Sequence, residues 1–158
     1  MNIFYLDSDP IKAAQYQANC HVIKLPIEGM QMISTVMIKH GYDAPMKPSH
    51  PKHPSTLWVS ESVDNFQWLI EHVEALCKEY TYRYGKRPKV EEYLSKVKIP
   101  KLRKIGFTEP PQVVSEEFKG DNTIIAYRKY YVYDKLSQKG WRWEYKNRKE
   151  PEWIKDYR

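Results

Sequence analysis

The stretch Cys20 to Gln31, CHVIKLPIEGMQ, decides how this chain is read. Its apolar residues recur at helical spacing, and His21, Lys24, Glu28 and Gln31 stand three, seven and ten positions apart, which puts all four on one helical stripe. Val22, Ile23, Leu25, Ile27 and Met30 predict burial of the other sides, so the expectation is a polar stripe within a core helix. A cation, a carboxylate, an imidazole and an amide are costly to bury unless they satisfy one another or a ligand. The stripe therefore reads as a site, with His21, Lys24 and Glu28 as catalytic candidates and Gln31 as a substrate-binding one. The competing reading is a Lys24–Glu28 helix pair with His21 hydrogen-bonded in the core.

Outward from this helix the chain reads as one mainly α, compact domain over 1–158 with long irregular loops. Asp7 to Asp9 followed by Pro10 predicts an acidic cap and a short helix over 10–18, after an extended start at MNIFYL. The central helix runs from 19 or 20 to 39 and stops at Gly41, with Pro26 expected to bend it. Residues 42–56, with four prolines, read as a loop. Phe66, Leu69, Ile70, Val73, Leu76, Cys77 and Tyr80 make the apolar face of a third helix, entered through Ser62 and left at Gly85. A short amphipathic helix is expected over 90–97, a Pro-rich loop over 98–114, and a last helix over 123–138 capped by Asn122.

Charge is unevenly placed. The formal net charge is +6, and residues 127–158 hold ten Lys/Arg against five Asp/Glu. Tyr127, Tyr130, Tyr131, Tyr133, Trp141, Trp143, Tyr145, Trp153 and Tyr157 interleave with these cations. Cations for phosphates beside rings for bases predict a nucleic-acid footprint, with Arg142, Trp143, Tyr145, Lys146 and Arg148 as contact candidates. The competing reading is a solvated basic face over an aromatic core layer.

Other chemistries lack their signatures. Cys20 and Cys77 make no spaced framework, and His50 and His53 have no CxxC or HExxH beside them, so neither a disulfide scaffold nor a metal site is expected. The glycines form no phosphate loop and no GxSxG elbow, and no cofactor is implied. The start has no leader-like apolar run and charges interrupt every apolar segment. A chain without a membrane partner, in the cytoplasm (the host cell's, if phage-encoded), is the expectation.

The MNIFYLD start, the HVxK of His21 to Lys24, His53-Pro54, Trp58, Ser62, Asn65, Trp68-Leu69, Glu79-Tyr80, Arg83, Tyr127-Arg128, Tyr130-Tyr131 and Pro151-Glu152-Trp153 together resemble a group of small phage-encoded proteins. That group is distantly similar to the pyrimidine-dimer DNA glycosylases of the endonuclease V type, through Ala14 with Leu25-Pro26, Glu117 to Asp121, and Pro151 to Lys155. The resemblance implies an endonuclease V-like helical fold that kinks duplex DNA and turns a nucleotide out of it. It adds Asn65, Arg83 and Arg128 to the substrate-binding candidates. In such glycosylases the nucleophile is the α-amine left after removal of Met1, and a carboxylate precedes the Leu-Pro. Here residue 2 is Asn, too large for the usual removal, and Lys24 precedes Leu25-Pro26.

Three functions remain open at this point. One is a DNA glycosylase-like enzyme acting on a flipped, damaged or modified pyrimidine, with Lys24 as the amine and Glu28 as acid and base. Another is a transferase attaching a small amine, such as an amino acid, to an activated pyrimidine in DNA, with His21 or Glu28 as base and Lys24 holding an anionic leaving group. The remaining one is a non-catalytic DNA-binding or inhibitor protein. The enzymatic readings predict a pocket lined by the stripe and rimmed by Trp143 or Tyr145.

Overall fold

The computed structural model describes residues 1–158 as a mainly helical fold without strands. Helices α1 (Pro10–Gln15), α2 (Asn19–Lys39), α3 (Pro54–Glu61), α4 (Val63–Tyr84) and α5 (Thr123–Tyr130) carry the core, and 3-10 turns punctuate the loops. No helix is long and apolar enough to cross a membrane.

Local chemistry accounts for the helix ends. The Asp9 carboxylate accepts from Ile11 N and Pro10 opens α1. Ser62 accepts from Asn65 N to start α4, and Gly85, at φ 69°, ends it in the left-handed region that glycine adopts at low cost. Asn122 accepts from Ile125 N to start α5. Helix α3 is not among the elements expected from the sequence: its first residues fall in the loop read over 42–56 and the rest carry no assignment. Its signal was present: Pro54 occupies the first turn and the His53 ring accepts from Ser55 N. Its apolar residues are too few to make a periodic face, so the prolines around it dominated the reading. The expected last helix is shorter than 123–138, since its α-helical turns give way to a π turn over Tyr131–Lys135.

Helix α2 is continuous through Pro26, and it packs along α4 over most of its length. The contact is close at Gly29, where a Cβ would lie 2.5 Å from Val73 Cγ2. Glycine in a helix interior costs about 1 kcal/mol relative to alanine, and here that cost permits the two backbones to approach. The N-terminal segment Ile3 to Leu6 is buried with them. Trp68 Nε1 donates to Ser8 O at 2.8 Å and Trp58 Nε1 to Thr108 O at 2.9 Å, so the bulky indoles of α3 and α4 also hold down the connecting loops.

The C-terminal segment, 139–158, is strapped across the N-terminal end of α2 and the C-terminal ends of α1 and α4. Asn19 N donates to Glu144 O at 2.9 Å, Asn19 Nδ2 to Trp141 O at 2.7 Å, and Lys146 N to Asn19 Oδ1 at 2.9 Å. Asn147 Nδ2 adds a bond to Arg83 O at 3.1 Å. The buried Asn19 therefore carries most of these ties to a strap whose own regular structure is limited to short 3-10 turns.

Candidate functional site

The central stripe does not sit as the sequence predicts. The buried side of α2 is Val22, Leu25, Pro26, Gly29, Met30, Ile33 and Met37, whereas Ile23 and Ile27 are exposed along with Lys24. Of the four stripe residues only His21 is buried; Lys24 is exposed, and Glu28 and Gln31 are half-buried. Lys24 Nζ lies 3.8 Å from Glu28 Oε1 as a helix pair one turn apart. The burial that was to make Lys24 a neutral nucleophile is therefore absent. The reason is the direction of α4: it packs on the Gly29 side of α2, which turns Lys24 outward. The four residues line none of the principal cavities.

His21 instead sits within a cluster of rings, the cradle. Its ring stacks on Phe4 with centroids 4.2 Å apart, and Trp143 stands edge-on to it at 5.5 Å. Its Nδ1 lies 2.9 Å from the Tyr131 hydroxyl, which also accepts from Ala18 N at 2.6 Å. Phe4 reaches this position at φ 53°, an uncommon conformation for a bulky residue, so the N-terminal segment is bent to bring its ring over His21. Burial pushes the His21 pKa down to about 3, assisted by the positive charges of Lys24, Lys135 and Arg142, so the imidazole is neutral at physiological pH. No carboxylate figures among the influences on it, although Glu28 pairs with Lys24 and Asp134 with Lys135 at 3.0 Å. Burial also raises the Cys20 pKa against the opposing pull of Arg142 and Lys24, so Cys20 is a thiol here.

A run of rings leads away from the cradle. Phe4 lies parallel to Tyr130 at 6.1 Å, Tyr130 meets Phe118 at 5.8 Å, and Phe118 stacks on the exposed Tyr133 at 6.2 Å. Lys135 Nζ sits 4.9 Å from the Tyr130 ring centroid. Tyr130 also borders an open hollow of about 910 Å³ that includes Pro54, Gln112, Val113, Ser115 and Lys119. The sequence reading did not single out Tyr130, Phe118 or Lys135 as site residues. The π turn after α5 sets Lys135 over the Tyr130 ring, and the 3-10 turn at Glu116–Phe118 brings Phe118 against the same ring.

Several predicted contact residues have other partners. Asn65 is fully buried, with Nδ2 donating to Trp58 O and Thr108 Oγ1 and Oδ1 accepting from Thr108 N, so it clamps the 98–114 loop to α3 and has no group left for a ligand. Arg83 is 1% exposed; its guanidinium donates to Glu79, Asn19 Oδ1 and Gln15 O. Arg148 makes a bidentate pair with the same Glu79, at 2.8 and 2.7 Å, and stacks on Tyr82. Arg128 donates to Leu6 O and Asp7 and covers Trp153 at 4.7 Å. Tyr145 turns its hydroxyl to Tyr16 O at 2.8 Å and its ring toward Arg83, away from the cradle. These five are corrected from ligand contacts to internal ties, because each polar group meets a buried partner that a one-dimensional pattern does not reveal.

What remains of the basic segment is smaller and better placed. Arg128, Lys135, Arg148, Lys155 and Arg158 are in ion pairs, which leaves Lys129, Lys139, Arg142, Lys146 and Lys149 without a carboxylate partner. Trp143 borders the His21 ring and Arg142 precedes it, while Lys146 lies over the Tyr84 ring at 5.1 Å. His53 is occupied in capping α3, and no group of three or more metal-ligating side chains is assembled. Among known proteins, no family model, no curated protein and no solved structure matches this chain.

Proposed function

We propose that this protein binds duplex DNA across the face around His21 and acts on a pyrimidine turned out of the helix, in the manner of a DNA glycosylase. The observation that carries this reading is the cradle: a recessed neutral imidazole with Lys24, Lys135 and Arg142 about it, Trp143 at its edge, and the Tyr130–Phe118–Tyr133 rings beside it. Cations meet the phosphates and rings meet unstacked bases. The hollow next to Tyr130 is of the size that admits a nucleotide.

In this mechanism Lys24 supplies the amine that attacks C1′ of the extruded nucleotide, with Glu28, 3.8 Å away, as the acid and base. The new C1′–Nζ bond forms as the glycosidic bond breaks, the base leaves with that electron pair and takes up the proton that Nζ sheds, and opening of the C1′–O4′ bond turns the adduct into the imine that borohydride reduces. Solvation of Lys24 also favours a second reading, in which it stays a cation and holds the anionic leaving group of an activated pyrimidine while a small amine co-substrate is attached.

One experiment separates them. The protein is incubated with duplex carrying damaged or phage-modified pyrimidines, which is then digested to nucleosides for mass spectrometry. Loss of a base, together with a borohydride-trapped adduct that Lys24→Ala abolishes, supports cleavage. A mass gain supports transfer. Binding without either leaves a non-catalytic DNA-binding protein.

A further inference from the structure

The Tyr131 hydroxyl fixes which nitrogen of His21 faces the cradle. Tyr131 is fully buried, and its oxygen has two neighbours only, Ala18 N at 2.6 Å and His21 Nδ1 at 2.9 Å. The backbone N–H is a donor and must be accepted by the hydroxyl oxygen. The hydroxyl proton then needs an acceptor, and the one within reach is His21 Nδ1. An Nδ1–H directed at the same oxygen would leave the phenolic proton buried without a partner, which costs free energy. His21 therefore carries its proton on Nε2.

That N–H has no partner in the protein, although the residue is only 4% exposed, and Nε2 is not among the buried atoms lacking a bond, so it opens toward solvent. The ring lies in a positive field. Lys24 is one helical turn on, Lys135 is one turn beyond Tyr131, and Arg142 precedes the Trp143 that borders the ring. Helix α2 also begins here with Ala18 at its cap, which supplies no side-chain acceptor, so the positive end of a 21-residue helix adds to the same field. A neutral donor recessed among cations matches an oxyanion and repels a base that must accept a proton and become a fourth cation.

We infer that His21 is a fixed Nε2–H donor to a phosphate oxygen, with Lys135 and Arg142 completing the anion site and Tyr131 as the positioning residue that sets the tautomer. The role replaces general-base chemistry at His21. It rests on the proposed DNA-acting function only for the source of the phosphate, a nucleic-acid backbone rather than free phosphate.

The test is long-range proton–nitrogen NMR on protein labelled with nitrogen-15 histidine. Wild-type protein should give the neutral Nε2–H pattern for His21, and Tyr131→Phe should shift it toward the Nδ1–H form. Finding Nδ1–H in the wild type overturns the inference without any variant. Inorganic phosphate and a 12-mer duplex are then added separately. Movement of the His21 Nε2–H resonance by either probe, lost in Arg142→Ala, supports the site, and the probe that acts at lower concentration identifies the source. Binding of duplex with the His21 signal unmoved overturns the site yet leaves the DNA reading standing. A response to phosphate alone keeps the site and removes the DNA reading.

Discussion

Two regions of this molecule each surround a buried polar side chain with cations, and they resolve the problem in opposite ways. At the foot of α4, Glu79 is 3% exposed and accepts from both Arg83 and Arg148, so two guanidinia and a carboxylate satisfy one another and join the core to the C-terminal strap. At the head of α2, His21 is 4% exposed and neutral, and the cations near it have only solvent-side carboxylates or none. A cation closed by a buried acid is part of the fold, whereas one left open beside a free N–H is available to a ligand. The type of residue does not separate the two cases; its partners do.

The largest expected effect breaks the first region. Glu79→Gln leaves Arg83 buried without its counter-charge and frees Arg148, so denaturant melts should show a loss of about 3–5 kcal/mol. A loss below about 1 kcal/mol would mean that the strap holds without the pair.

Acid should act on the second region. The His21 pKa falls from an ordinary 6.5 to about 3 in the fold, and that of buried His72 falls to about 4 because of burial. The unfolded chain therefore binds more protons over this interval. Stability from these groups is fully present above pH 6.5 and is lost progressively toward pH 3, by up to a few kcal/mol in total. Melting temperatures across this range in wild type and His21→Gln check it: the substitution should flatten the acid limb, and an unchanged limb would assign the loss to other groups.

A smaller effect is expected where both regions share a support. Gly29→Ala forces Val73 away from α2 and should cost about 1–3 kcal/mol, reduced by the better helix propensity of alanine. Combining it with Val73→Ala should recover part of the loss if the 2.5 Å approach is its cause.

The smallest effect on stability is expected in the cradle. Lys24→Ala, Lys135→Ala and Arg142→Ala should each change stability by no more than about 0.5 kcal/mol. If Lys135 and Arg142 meet phosphates, the double variant should reduce the slope of log binding constant against log salt by about 1.8 in magnitude on duplex DNA. An unchanged slope would locate the DNA contacts elsewhere.

Much of the framework was legible in the sequence, for reasons of local chemistry. The 3.6-residue periodicity of α4, the Ser62 and Asn122 caps, Gly85 and the Pro10 start each act within a few residues, so their meaning does not depend on distant chain. The tertiary structure alone decided which side of α2 is buried, because the Gly29–Val73 approach fixes where α4 lies and so exposes Lys24 while covering His21. It alone decided that Asn65, Arg83 and Arg148 are internal ties, since their partners stand 43, 64 and 69 positions away in the chain. The proton on His21 is set in the same way, by a tyrosine 110 residues distant, through a hydrogen bond that only folding can form.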